Sequence, residues 1–284
     1  MNLRQVRLKI KSIGNVRKIT KAMQMVAAVK MKKAQERAMQ GLIYKQYLKQ
    51  MITEISANVD KSTSELFQNN KDVTTRTFVF ISTNKGLCGS FNLNLFKYFL
   101  HNIKTTDNDQ FIIFGKKARE FVENLKGEVV LDFSDSSFIA SVSAVYNNVL
   151  TRFLNKQINT VYLVYNRFIS AFRSEPTIEQ LLPLTSQQNQ DKQHSQKPYS
   201  IEPSAESFLE SLLHSYLEDR IRTAIIESEA GEYSARMMAM KNATDNAGEL
   251  IYHLTLLRNK LRQEKITYEL LDMITAKESV EVTN

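Results

Sequence analysis

Tryptophan is absent from this chain, cysteine occurs once, and glycine and proline number only 8 and 4 in 284 residues. A single thiol, Cys88, excludes an internal disulfide and a cysteine-rich zinc site. So few breakers in so long a chain imply long uninterrupted helices. No apolar run approaches the roughly 20 residues that span a bilayer. The N-terminus alternates charge and hydrophobe, where a signal peptide would carry an apolar block. The four histidines, His101, His194, His214 and His253, are scattered and show no H-E-x-x-H or Cys/His spacing. No serine sits in G-x-S-x-G, and no carboxylate pair is placed across a cleft by sequence alone. No metal, cofactor or catalytic residue is therefore expected.

What is present is an asymmetry of charge. The chain carries a formal net charge of +8, and 43% of its residues are hydrophobic. Residues 1–60 hold 13 Lys and Arg against 3 Asp and Glu, whereas 204–284 hold 9 against 14. The first 33 residues contain ten bases and no acid. Three readings of that run compete: a transit peptide, a nucleic-acid arm, or a helix facing an acidic partner. No aromatic falls within the first 43 residues to stack on bases, which weakens the second. The basic stretch also runs straight into an apolar seam that continues past any plausible cleavage point, which weakens the first.

All four prolines lie between 176 and 203, and four of the eight glycines lie between 86 and 127. Turn chemistry is thus concentrated in the middle, giving a three-part map: an N-terminal helix over 1–60, an insert over 61–203 and a C-terminal helix over 204–284. In the first, Leu3, Val6, Ile10, Ile13, Val16, Ile19, Met23 and Val26 recur every three or four residues as an apolar seam. A helix from 3 to 58 would run roughly 80 Å at 1.5 Å per residue, with Gly14 and Gly41 free to bend it. The last helix is predicted to start at Ser204, a good N-cap, with Ser207 as a second candidate, and would run roughly 100 Å. Phe208, Leu212, Tyr216, Ile221 and Ile225 open its stripe, and Leu250, Leu254, Leu257 and Leu261 continue it. Between them Gly231, Ala235, Ala239, Ala243 and Ala247 fall four apart, a lane on which a second helix can approach closely. Pairing the two helices antiparallel buries both seams.

The insert alternates strand and helix signals: strands at 77–82, 111–114, 129–133 and 160–165, an edge strand at 177–182, and helices at 91–103, 116–124 and 138–155. That pattern predicts an α/β domain with a mostly parallel, Rossmann-like sheet. Residues 185–198 are polar and low in complexity, and read as a flexible loop. The loop Asn84 to Ser90 lies between a strand and a helix but lacks both phosphate-binding glycine spacings, so no nucleotide is expected there. Cys88 reads as a small buried hydrophobe. The Met-rich patches at 23–31 and 237–240 read equally as core or as an adaptable contact surface.

The residues at both ends carry a resemblance. Ile19-Thr20-Lys21-Ala22-Met23-Gln24-Met25-Val26-Ala27-Ala28-Val29-Lys30-Met31 resembles the N-terminal signature of the ATP synthase gamma-subunit family. The run from Ala235 to Gly248, then Asn259 to Gln263 with Ile266-Thr267, resembles its C-terminal signature. The loop Lys85 to Gly89 and Pro176-Thr177-Ile178 fit as well, in family order along the whole chain. The resemblance implies a non-catalytic central shaft. Its paired helices would stand inside a ring of three alpha and three beta subunits, with the insert outside on the epsilon subunit and the c-subunit ring. By position, Met23 and Lys30 match the region that touches acidic loops of the beta subunits. Arg262, Gln263 and Thr267 match the family's catch with a beta subunit, and Arg236 matches a further family site. Glu264-Lys265, Tyr268 and the charged stretch 277–284 depart from the family's small or uncharged residues there. The paired cysteines of the chloroplast regulatory insert are missing. The implied location is the cytoplasmic face of a bacterial inner membrane, held there through the complex.

Overall fold

The structure is a computed structural model. It describes residues 2–40, 64–68, 70, 73–184 and 205–282, together with 44, 47, 48 and 50–52. The bend at Gly41, the cap at Ser204 and the loop at 185–198 lie outside the described residues. The chain divides into two compact units, one of Met1–Ala27 with Met237–Asn284 and one of Ala28–Arg236. Two helices enter both: α1, Leu3–Gln40, and α5, Ala205–Val282.

α1 begins with a reciprocal cap. The Asn2 side chain accepts from the Gln5 amide at 2.9 Å, and the Gln5 side chain accepts from the Asn2 amide at 3.1 Å. Two otherwise orphaned donors of the first turn are thereby satisfied.

In the first unit α1 and α5 pair antiparallel. Thr20 meets Thr244 at 2.8 Å between hydroxyls, and the Arg17 guanidinium lies 3.7 Å from where a Cβ on Gly248 would be. Three residues back along α1 thus correspond to four forward along α5. The buried positions of α1 in this unit are Val6, Thr20 and Ala27, with Ile13 half-buried between them. These four stand seven residues apart, the repeat of a coiled-coil seam.

Val16, Ile19 and Val26, expected in that seam, are 48%, 59% and 57% exposed. Successive three-residue steps drift around a helix of 3.6 residues per turn, so after Ile13 the apolar pattern leaves the inner face. Thr20, although polar, holds that face instead. On α5 the seam runs through Met240, Thr244 and Ala247, then half-buried Ile251, Leu254 and Leu261. Leu250 and Leu257 face outward, at 52% and 37% exposure.

In the second unit a five-stranded sheet has the order β3-β2-β1-β4-β5. The strands are β1 Arg76–Ile81, β2 Gln110–Phe114, β3 Glu128–Asp132, β4 Thr160–Ser170 and β5 Arg173–Leu182. β1 runs parallel to β2 and β4, and β2 parallel to β3, while β5 returns antiparallel to β4. The helices between them are α2 Phe91–Asn102, α3 Lys116–Asn124 and α4 Val142–Leu154. The last starts four residues later than expected. β4 and β5 are longer than expected because they form one hairpin. Pro176 sits on the edge strand β5 opposite Asn166, where a missing N–H costs no ladder bond.

Alternation along each strand sends successive side chains to opposite faces. Val79, Ile81, Ile112, Phe114, Leu163 and Tyr165 join α4 and α5 in one core. Phe78, Phe80, Phe111, Ile113 and Val164 join α2 and α3 in the other. α5 contributes Leu209, Leu213, Leu217, Ile221, Ala224 and Ile225, all at most 4% exposed. Each buried leucine stabilises by about 1.5–3 kcal/mol. Phe208, expected in this stripe, is 38% exposed; the true stripe is offset from it by one residue.

The lane of small residues also has a different use. Steps of four overshoot a turn by about 40° each, so Gly231 and Ala247 cannot face one partner. A Cβ on Gly231 would come 3.0 Å from Phe91 and 3.3 Å from the Ser174 Cβ. Gly231 therefore admits the α/β domain, not α1.

Candidate functional site

The carboxyl ends of β1 and β2 are where an open α/β sheet usually binds a ligand. Here side chains at the end of β1 and in the loop after it occupy the amide donors at the start of α3. The Asn84 side chain accepts from the Lys116 amide at 3.0 Å, and the Ser82 hydroxyl accepts from the Ala118 amide at 2.7 Å. The N-terminus of α3 is thus capped from within. Gly115 permits this approach: its φ is +95, and a Cβ there would lie 2.5 Å from the Ser82 carbonyl oxygen.

The loop after β1 turns two carbonyl oxygens toward α5. The Arg236 guanidinium donates to Lys85 O at 3.0 Å through Nη2, and to Gly86 O at 3.2 and 3.3 Å through Nη2 and Nε. Its third nitrogen donates to Glu232 at 2.6 Å. Burial raises the Glu232 carboxyl above its ordinary pKa, and Arg236 works against that rise. Cys88 is 3% exposed, and burial raises its thiol.

Beside this loop lies an open cleft of about 380 Å³, lined among others by Lys30, Ser82, Lys85, Glu229 and Arg236. Lys30 is exposed and lies 5.3 Å from the centre of the Tyr233 ring. The Tyr233 phenol is pushed up to about 12, first by burial and then by Glu229 and Glu232.

Met23 is half-buried on α1. Arg262, Gln263 and Thr267 are exposed on α5, and the Thr267 hydroxyl donates to Gln263 O at 3.0 Å. Gln263 and Thr267 therefore share a helix face, with Arg262 adjacent. Of the six residues singled out in the sequence, only Arg236 has its guanidinium engaged by distant backbone. That engagement spans 150 and 151 residues, and no local pattern announces it.

Outward-facing apolar residues are the strongest surface feature of the first unit. Leu8, Ile19, Met25 and Val26 on α1 are 55–60% exposed. On α5, Leu256, Tyr268, Leu270, Leu271, Met273 and Ile274 are 50–68% exposed. Soluble monomers rarely leave so much apolar surface uncovered, and such faces mark interaction sites. Among the described residues no group of His, Cys, Asp and Glu is placed to hold a metal ion. No described helix is long and apolar enough to cross a membrane.

A helix pair with an inner seam and apolar outer faces, in one chain with an α/β domain, marks a component that partner proteins cover. Comparison with known proteins makes this specific. The model of the family described as ATP synthase matches residues 2–280. The ATP synthase gamma chain of Glaesserella parasuis serovar 5 (strain SH0165) is 37% identical over 280 residues, 95% of this chain and 96% of the relative. That of Psychrobacter sp. (strain PRwf-1) is 33% identical over 285 residues, 96% of this chain and 97% of the relative. This chain belongs to the ATP synthase gamma-chain family. Its fold is similar to a chain of the Euglena gracilis mitochondrial ATP synthase, OSCP/F1/c-ring, in rotational state 3. The TM-score is 0.68 at 21% identity, covering 98% of this chain and 94% of that one. A chain of the Euglena gracilis rotor in rotational state 1 gives a TM-score of 0.61 at 20% identity, covering 93% and 98%.

Proposed function

We propose that this chain is the central shaft of an F-type ATP synthase, turning with a c-subunit ring and forcing the catalytic beta subunits through their binding states. The observation that carries the reading is the apolar outer face of the paired helices, which requires a surrounding sleeve. Alpha and beta subunits forming a hexameric ring would supply that sleeve. The epsilon subunit and the c ring would hold the α/β domain. A shaft couples ion flow to chemistry only by contacting different beta conformations differently.

Met23, Lys30, Arg262, Gln263 and Thr267 are the proposed contacts with the beta subunits. Lys30, Arg262, Gln263 and Thr267 have exposed side chains. The excess of bases over acids in 1–60 suits the acidic loops expected on beta. Arg236 joins this set through the loop it holds. Chemistry stays on the partners, and the chain lies on the cytoplasmic face of a bacterial inner membrane through them.

The test is affinity capture of the tagged full chain from its own cells, followed by mass spectrometry. Alpha, beta and epsilon subunits should be recovered together from the membrane fraction. Recovery as a soluble homo-oligomer, or with RNA released by salt, would sink the reading.

A further inference from the structure

We propose that Arg236 is a positioning residue: it straps the loop 84–90 onto α5 and fixes which of that loop's side chains face outward. The functional half of this proposal rests on the shaft reading; the structural half does not.

Three observations converge on the strap. First, all three guanidinium nitrogens of Arg236 are used within the chain, on Lys85 O, Gly86 O and Glu232. Its side chain is only 11% exposed. A planar guanidinium meets two neighbouring oxygens at once, which a single ammonium does less well.

Second, the loop is held in a conformation that it does not prefer. Leu87 has φ 63 and Gly89 has φ 61. Left-handed backbone is costly for a residue with a Cβ, and it persists where the surroundings enforce it. Within the loop, Thr83 donates to Lys85 O at 2.8 Å. Arg236 ties the Lys85–Gly86 turn to α5 by hydrogen bonds to both carbonyls.

Third, the result is a sharp sorting of neighbours. Leu87 is 62% exposed and Cys88 is 3% exposed. Cys88 is held inside with Asn92, whose side-chain amide lies 3.5 Å from the sulfur. Without the strap, Lys85 and Gly86 lose their guanidinium partner and the turn is free to rotate this pair.

Cys88 is the chain's one cysteine, so it reports on the loop without engineering. The experiment measures maleimide labelling of the purified full chain, comparing wild type with Arg236→Met and Arg236→Lys. Methionine keeps the length and helix propensity, and lysine keeps the charge. Losing the cation alone would make the thiol less acidic and slow its labelling, because Arg236 lowers the Cys88 pKa. The proposal expects the opposite sign: at least tenfold faster labelling in Arg236→Met, and an intermediate rate in Arg236→Lys.

Labelling that is unchanged within twofold, or slowed, in Arg236→Met overturns it. If Arg236→Met loses helicity at 222 nm, the lysine variant decides. A rate equal to wild type in a chain of normal helicity then counts against the strap, and a rise of threefold or more supports it. A second arm expresses each variant within the whole membrane-bound ATP synthase and measures ion pumping driven by ATP hydrolysis in membrane vesicles. Faster labelling with pumping lost supports both halves; faster labelling with pumping intact leaves the strap standing and removes Arg236 from the functional set. Failure of the wild-type chain to assemble at all counts against the shaft reading alone.

Discussion

Replacing Thr20 and Thr244 by valine, singly and together, tests how the helix pair is held. The two hydroxyls meet at 2.8 Å and are 9% and 6% exposed. Each also lies within reach of a backbone carbonyl of its own helix, Arg17 O at 3.1 Å and Met240 O at 2.7 Å. Two hydroxyl protons cannot serve three such bonds, so one contact is always made at the expense of another. A single Thr→Val substitution removes the lateral bond, a loss of about 1 kcal/mol. It sets a methyl against the remaining hydroxyl, which still finds its own carbonyl. The double substitution removes both polar groups, leaves no orphan and buries two methyls in place of two hydroxyls. Replacing both partners by apolar groups of the same shape is nearly neutral or stabilising. A cycle should therefore show a coupling of about 1 kcal/mol, with the double variant at or above wild type. Thermal unfolding of the full chain, followed at 222 nm, resolves this, since 1 kcal/mol shifts Tm by about 2–4 °C at this size. A double variant whose Tm falls by the sum of the two singles would refute the argument.

Arg220 is buried and paired with Glu179, and burial, which lowers its pKa, is outweighed by Glu179 and Tyr165, which raise it. Arg220→Met alone should cost about 3–5 kcal/mol in denaturant unfolding, and the pair Arg220→Met with Glu179→Gln should recover most of it. A single variant as stable as wild type would contradict that pairing. Tyr233 should ionise near 12, where free tyrosine ionises near 10. A phenol raised in the folded state supports the fold below 10 and loses that support as the pH climbs toward 12. Absorbance titration at 295 nm should show a late phenol that disappears in Tyr233→Phe; an unchanged titration in that variant would assign the late phenol elsewhere.

The insert was readable because its signals are local. Runs such as Thr77–Ile81 and Phe111–Phe114 are short, apolar and β-branched or aromatic, and glycines or polar residues bound them. β5 begins at Arg173, ahead of the expected 177–182, and an edge strand tolerates the proline at 176. The seam of the helix pair was only half readable. Hydropathy cannot separate Val16, Ile19 and Val26, which face outward, from Val6 and Ile13, which face α5. An apolar residue awaiting a partner and one packed in a core have the same composition. Thr20 had the converse problem, a polar residue whose place is inside. Gly231 and the alanines after it shared a spacing but not a partner. Arg236 was singled out in the sequence, but its grip on Lys85 and Gly86 crosses most of the chain and has no periodicity to betray it.

The seven-residue spacing of Val6, Ile13, Thr20 and Ala27 has a mechanical corollary. A repeat shorter than two full turns of an ideal helix winds a pair left-handed. Such a pair is chiral as a spring: torque of one sense tightens its winding against the small seam residues, and torque of the other sense opens it. The first unit should therefore resist the two directions of twist unequally, although nothing in its composition favours either.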